Sequence, residues 1–254
     1  MWNWQIMNYS FSIRDKSILV GLYLSKFDEQ ALLGLGFKGF NEAYNVLGFA
    51  LGSKPASIKN YRDEFDPFFP NIRKGRHKRQ IREYCRKFLD DFSNLDLETF
   101  TELIKSFVIK NYEVERIVDK FEKKDKSDTV AKRLITGIAA EEYFKINYQH
   151  INHFTDFEIK DTTNLACGFD FKLSYDIKYF CVEVKGLNTN SGSILMTEKE
   201  FSVAQHLKEK YCLFIVTNFI EKPVHQYYFD PLNSRLNFKK AERQITQINY
   251  STSI

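Results

Sequence analysis

Two patterns of apolar and polar positions divide the chain. From about residue 25 to 120 the apolar spacing is helical. Ser25 opens a helical stretch, SKFDEQALLGLGF. Phe40, Ala43, Tyr44, Leu47 and Leu51 recur on one helix face, and Gly52 is a natural stop. Ser53-Lys54-Pro55 follows, an N-cap and a first-turn proline for a second short helix from Ala56 to about Phe65. Asp66-Pro67 ends that helix, and Leu97 to Phe121 supplies more. No strong strand is predicted between 25 and 120.

From Asp119 to Lys132 the chain turns polar and mixed in charge, which reads as a linker or a solvated helix end. Beyond it the pattern changes. Ala131 to Asn147 reads as a helix, and strand-like runs follow at Phe169–Leu173, Tyr179–Val184, Tyr211–Thr217 and Val224–Phe229. Between the second and third lies a helix from Thr197 to about Lys208, opened by the capping box Thr197-Glu198-Lys199-Glu200. The expected architecture is therefore two domains. Residues 1–125 form an all-α domain, and residues 126–254 an α/β domain with a mixed sheet flanked by helices.

Composition narrows the function classes. Of 254 residues 43% are hydrophobic, enough for a real core, so collagen-like and wholly disordered readings fall away. No apolar run approaches the roughly 20 residues of a membrane helix, and the first residues, MWNWQIMNYSFSIRDK, do not read as a signal peptide. The four cysteines make no C-x-x-C pair and fit a reducing cytoplasm. Net charge is only +4, but its distribution is uneven: Arg73, Lys74, Arg76, Lys78, Arg79, Arg82, Arg86 and Lys87 crowd one short stretch against the single acid Glu83.

The candidate chemistry lies in GFDFKLSYDIKYFCVEVKG, residues 168–186. Period-2 alternation sends Phe169 and Phe171 to one face of a strand and Asp170 to the other. On the next strand Val182 and Val184 face one way, Glu183 and Lys185 the opposite way. With the turn around Tyr175–Lys178, Asp170 approaches Glu183 across the hairpin. Asp170 and Glu183 are hard oxygen ligands suited to Mg²⁺, with the Val184 carbonyl as a further ligand. A metal there polarises a phosphodiester and acidifies a water, which Lys185 orients while it stabilises developing charge.

This set resembles the PD-(D/E)xK nuclease superfamily, with Asp170, Glu183, Val184 and Lys185 as its D…E-x-K. It is more closely similar to the nuclease-like domain at the C-terminus of NO VEIN-type proteins and many bacterial defence proteins. The residues that carry the likeness are Gly137 with Glu141, Gly168-Phe169-Asp170, Val182-Glu183-Val184-Lys185-Gly186, Thr197 with Glu200 and Ala204, and the apolar strand Tyr211–Thr217. It spans roughly residues 131–230. Gly-Phe stands where the superfamily's proline would precede Asp170. The resemblance implies a restriction-endonuclease-like fold, a catalytic set of Asp170, Glu183, Lys185 and Glu141, and a Mg²⁺ cofactor. Glu200 is most simply the reciprocal half of its capping box.

The helix–Ser53-Lys54-Pro55–helix unit resembles a helix-turn-helix. Ser57, Lys59, Asn60 and Arg62 are then the residues that meet base edges in the major groove. Arg73, Lys74, Arg76, Lys78, Arg79 and Arg82 neutralise phosphates, giving affinity rather than sequence choice. The expectation is a Mg²⁺-dependent, sequence-specific endonuclease for double-stranded DNA, cytoplasmic, of type II restriction or defence kind. Cutting both strands asks for two sites, hence a homodimer. The rivals are a DNA-binding protein with an inactive nuclease fold and a repair-type or modification-dependent nuclease.

Overall fold

A computed structural model describes residues 10–71, 73, 80–109, 127–241 and 252. The helices of the N-terminal half are α1 (Ile13–Phe27), α2 (Glu29–Gly34), α3 (Phe40–Ala50), α4 (Pro55–Phe65), α5 (Glu83–Phe92) and α6 (Leu97–Val108). No strand occurs among the described residues of this half.

Helix α1 is the centre of this half. Ser17 through Ser25 are all buried, so this stretch of the helix has no solvent face and no apolar period to betray it. Its start is set by a reciprocal cap: Ser12 accepts from the Asp15 N–H, and Asp15 accepts from the Ser12 N–H. Gly21 lets α4 cross close against α1. A Cβ placed there would lie 2.4 Å from the Tyr61 Cβ. Helix α3 ends at Ala50, just ahead of Gly52, and Pro55 takes the first turn of α4 as the sequence pattern predicts, but the N-cap is Lys54 rather than Ser53 and no side chain caps the helix.

The C-terminal half opens with α7 (Ser127–Asn147) and carries β1 (Glu158–Asp161), β2 (Phe171–Tyr175), β3 (Lys178–Gly186), α8 (Glu198–Leu207), β4 (Tyr211–Thr217) and β5 (Val224–Phe229). The five strands form one mixed sheet in the order β1-β2-β3-β4-β5. Strands β1, β2 and β3 are antiparallel neighbours, β3 and β4 run parallel across the α8 crossover, and β5 returns antiparallel. Every residue of β4 is buried, as befits a strand covered on both faces.

Alternation assigns the two faces. Val182 and Val184 join the large core under α7, where Phe144 packs against Phe171 and Phe214. Cys181 and Tyr211 point the other way, to Ala204 of α8. The sheet is thus sandwiched between α7 and α8.

The two halves are not separate cores. One contiguous hydrophobic cluster runs from α1 through α3 and α7 into the sheet. Phe49 of α3 contacts both Tyr143 of α7 and Phe219 after β4. Lys132 reaches back to buried Glu42 at 2.6 Å. The Asn45 amide donates to the carbonyls of Phe219 at 2.8 Å and Glu221 at 2.9 Å.

Candidate active site at the end of β3

The acids and the amine meet where β2 begins and β3 ends. Asp170 stands one residue before β2. Its N–H donates to the Val182 carbonyl, and its own carbonyl accepts from the Thr162 N–H, so the backbone is pinned from both sides. Phe171 pairs with Val182, which sets Asp170 opposite Glu183. The Asp170 Oδ2 accepts the Val184 N–H at 2.8 Å. Val184 presents its N–H and its carbonyl along the same edge of β3, facing Asp170.

Glu183 is 4% exposed, far below what a carboxylate tolerates without a partner. Its partner is Lys185, whose Nζ lies 2.5 Å from Glu183 Oε1 and 2.9 Å from Glu200 Oε2. Glu200 Oε2 also accepts the Thr197 N–H at 2.9 Å, while Thr197 Oγ1 accepts the Glu200 N–H. One carboxylate oxygen therefore caps α8 and holds the amine.

Burial, then repulsion from Asp170, pushes the Glu183 carboxyl up to about 8 against the pull of Lys185. Burial pushes Asp170 up to about 6, opposed by the Val184 N–H. Glu141, on α7, is raised to about 7 by burial and by Asp170. Burial works against the charge on Lys185, but Glu183 and Glu200 outweigh it and hold the ammonium above its usual range. Burial raises all three carboxyls, with Lys185 pulling against it at Asp170 and Glu183 and Lys145 at Glu141. Carboxyls displaced by burial and by a specific charged neighbour make this end of the sheet a candidate functional site.

Helix α7 reaches this end because of Gly186. A Cβ there would lie 2.9 Å from the Thr136 carbonyl oxygen and 3.0 Å from the Ala140 Cβ. The close approach of helix to strand brings Glu141, the residue after Ala140, within the field of Asp170.

The donor chemistry suits a hard divalent cation. Asp170 and Glu183 oppose each other in a buried place where both carboxyls resist ionisation, and a cation relieves that strain. Mg²⁺ is commonly held by one or two carboxylates with its remaining positions taken by water. Among the described residues no three His, Cys, Asp or Glu side chains converge as a ready-made cage. The set is a pair of opposed carboxyls with Lys185 bonded to one of them.

The structure brings Asp170, Glu183, Val184 and Lys185 together at one end of the sheet, and sets Glu141 of α7 within the field of Asp170. One ion-paired group at this end has no counterpart in the pattern. Lys145 joins Glu142 at 2.7 Å to Asp161 at 3.0 Å, next to Glu141. Nothing in the local pattern of a four-residue edge strand signals Asp161.

The expected DNA contacts divide. Lys59 and Asn60 are exposed on α4, and Ser57 is half-buried. Lys59 borders a shallow recess of about 90 Å³ with Tyr44, Asn45, Pro55 and Glu221. Three arginines need correction. Arg62 is 4% exposed, bonded to the Tyr44 hydroxyl and Asp28 and laid over the Phe40 ring at 3.3 Å. It belongs to the interior rather than to a groove-facing surface. Arg73 grips Asp66 with two nitrogens and Asp28 with a third. Arg82 does the same to Glu64 through its side chain and its own N–H. Asp66 and Glu64 are almost wholly buried, so these cations neutralise internal acids rather than phosphates. Lys74, Arg76, Lys78 and Arg79 lie outside the described residues.

No helix among the described residues is long and apolar enough to cross a membrane. No curated protein and no solved structure matches the chain. Residues 140–229, from the turn of α7 that carries Glu141 to the end of β5, match the family described as Protein NO VEIN, C-terminal, and every residue of the candidate site lies inside that match.

Proposed function

We propose that this protein is a Mg²⁺-dependent endonuclease of the PD-(D/E)xK kind that cuts duplex DNA at specific sequences, as a restriction or defence enzyme. The observation that carries the reading is the opposition of Asp170 and Glu183 across a hairpin, with Lys185 2.5 Å from Glu183. Two carboxyls and one amine held together at this end of the sheet supply the cation ligands and the positive group that metal-assisted hydrolysis of a phosphodiester uses. The match to the NO VEIN C-terminal family over this region supports it.

In this mechanism Asp170, Glu183 and the Val184 carbonyl hold the cation. Bound there, Mg²⁺ polarises the scissile phosphate and lowers the pKa of a water. The Val184 N–H fixes one oxygen of Asp170 and leaves the other to act. Lys185 orients the attacking water and offsets charge on the phosphate as it develops. Glu141, raised to about 7, exchanges a proton with the surrounding water near neutral pH. The α3–α4 unit presents Lys59 and Asn60 to the duplex as a helix-turn-helix, and a homodimer places two sites for two strands.

The second reading is a DNA-binding protein whose nuclease fold is inactive. The observation on its side is that Lys185 already satisfies Glu183, so the site has a stable arrangement of its own.

The test is digestion of plasmid and phage DNA by the purified chain with Mg²⁺, with EDTA, and with Lys185→Ala, on methylated and unmethylated substrate. Discrete fragments that need both Mg²⁺ and Lys185 establish a sequence-specific nuclease. A smear with the same dependence points to a repair-type enzyme. Cleavage only of methylated DNA points to a modification-dependent one. Intact DNA in every lane, with salt-sensitive binding, leaves the second reading.

A further inference from the structure

The Lys185 ammonium has two acidic neighbours, and they are not equivalent. Glu183 lies on the same strand, is nearly inaccessible, and belongs to the proposed cation seat. Glu200 lies across the site on α8, and its position does not depend on the lysine. The oxygen that receives Lys185 is already held by the Thr197 N–H at 2.9 Å. A capping glutamate ordinarily points to solvent, but this side chain is only 15% exposed and leans over β3. It gives the amine a fixed second anchor at the site's mouth.

When Glu183 is engaged by a divalent cation, it no longer serves Lys185 as before. The ammonium then either follows the charge that remains or swings away from the phosphate. We propose that Glu200 is the positioning residue for Lys185: it keeps the amine beside the scissile phosphate once Glu183 turns to the cation, and so sets both cation affinity and the rate of the chemical step. The proposal rests on the nuclease reading above.

Glu200→Gln separates this role from capping, because the amide oxygen still accepts the Thr197 N–H but carries no charge. Thr197→Ala is the complement: it removes the cap's hydroxyl and leaves Glu200 facing Lys185. Two readouts are needed, Mg²⁺ binding to the protein alone by titration calorimetry, and kcat and KM on a cleavable duplex at saturating Mg²⁺.

Glu200→Gln is expected to weaken Mg²⁺ binding about tenfold and to lower kcat by about ten- to a hundredfold, as loss of an outer-sphere partner does. KM for DNA stays unchanged, and Thr197→Ala leaves both readouts intact while lowering Tm. If Glu200→Gln matches wild type in both, Glu200 is a cap and the proposal fails. If Glu200→Gln and Thr197→Ala fall together, the effect passes through the helix and the proposal also fails. If the wild-type protein binds Mg²⁺ without cutting DNA, the nuclease reading is at fault and the affinity comparison alone decides on Glu200. If it does neither, both readings fall.

Discussion

The carboxylate of Asp170 accepts its hydrogen bond from the backbone N–H of Val184, the residue between Glu183 and Lys185. The acid just ahead of β2 is thus aligned by the strand that carries the other acid and the amine. No rotamer adjustment of a long side chain is needed to bring the two carboxyls together. Pre-alignment of this kind is what a site needs if it is to act without reorganising.

Asp170→Asn and Lys185→Ala are each expected to lower cleavage by about a hundred- to a thousandfold, the usual loss when one transition-state interaction is removed. Both variants should bind duplex DNA as the parent does. Single-turnover cleavage and a filter-binding isotherm on the same preparations check this. Loss of binding together with loss of cleavage would assign these residues to DNA affinity instead.

The raised carboxyls fix the sign of the pH dependence. Asp170 at about 6 and Glu183 at about 8 must lose protons to hold a cation, so Mg²⁺ binding and cleavage should rise with pH between those values. Stability should run the opposite way. A carboxyl whose folded value lies above its unfolded value stabilises the fold at low pH, and that contribution is lost as pH climbs through the folded value. Glu183→Gln should therefore have a higher Tm than wild type above about pH 8, the gap closing towards the ordinary carboxylate range. Added Mg²⁺ should raise the wild-type Tm at that pH and leave Glu183→Gln unmoved. A pH series by differential scanning fluorimetry, with and without Mg²⁺, checks both signs.

Arg62→Ala is expected to lower stability by about 2–4 kcal/mol, because it removes a buried guanidinium from Tyr44, Asp28 and the Phe40 ring at once. It should leave the salt dependence of DNA binding unchanged. Lys59→Ala should do the reverse, with little change in Tm and a salt slope shallower by about one unit for each phosphate it no longer neutralises. Denaturant melts beside binding isotherms at several salt concentrations separate the two.

Gly186→Ala places a methyl group against the Thr136 carbonyl and Ala140 on α7. Helix and strand must part, at a cost of about 1–3 kcal/mol. The displacement carries Glu141 away from Asp170. Cleavage should fall more than Mg²⁺ affinity, because Asp170 and Glu183 both stay on the hairpin. Parallel calorimetry and kinetics on Gly186→Ala read that difference.

Much of this site is legible in the sequence. Alternation in 179–185 places Glu183 and Lys185 on one face, and Thr197 with Glu200 announces the start of α8. Those signals are local, and local signals survive in a sequence. The features that escape are either unpatterned or distant. Helix α1 is buried all round from Ser17 to Ser25, so that stretch shows no amphipathic period. Strand β1 has four residues and a single inward apolar side chain, Ile159. Arg62 has the spacing of a groove-facing cation, and its partners Asp28 and Tyr44 are remote in sequence. The core shared by α3, α7 and the sheet is hidden for the same reason: a change of pattern near residue 125 does not reveal that the segments on either side pack together.

The two bonds from Asn45 to the carbonyls of Phe219 and Glu221 tie α3 to the loop that leaves β4. Helix α4 follows α3 by a four-residue turn, and β4 runs alongside β3. The outward residues of α4 and the Glu183–Lys185 end of β3 are therefore mounted on one rigid caliper. On the proposed reading, the distance between a recognised base and the broken phosphate is set by this frame rather than by a tether. Cuts should then fall at one constant offset from the recognition sequence, and Asn45→Ala should blur that offset before it abolishes cutting.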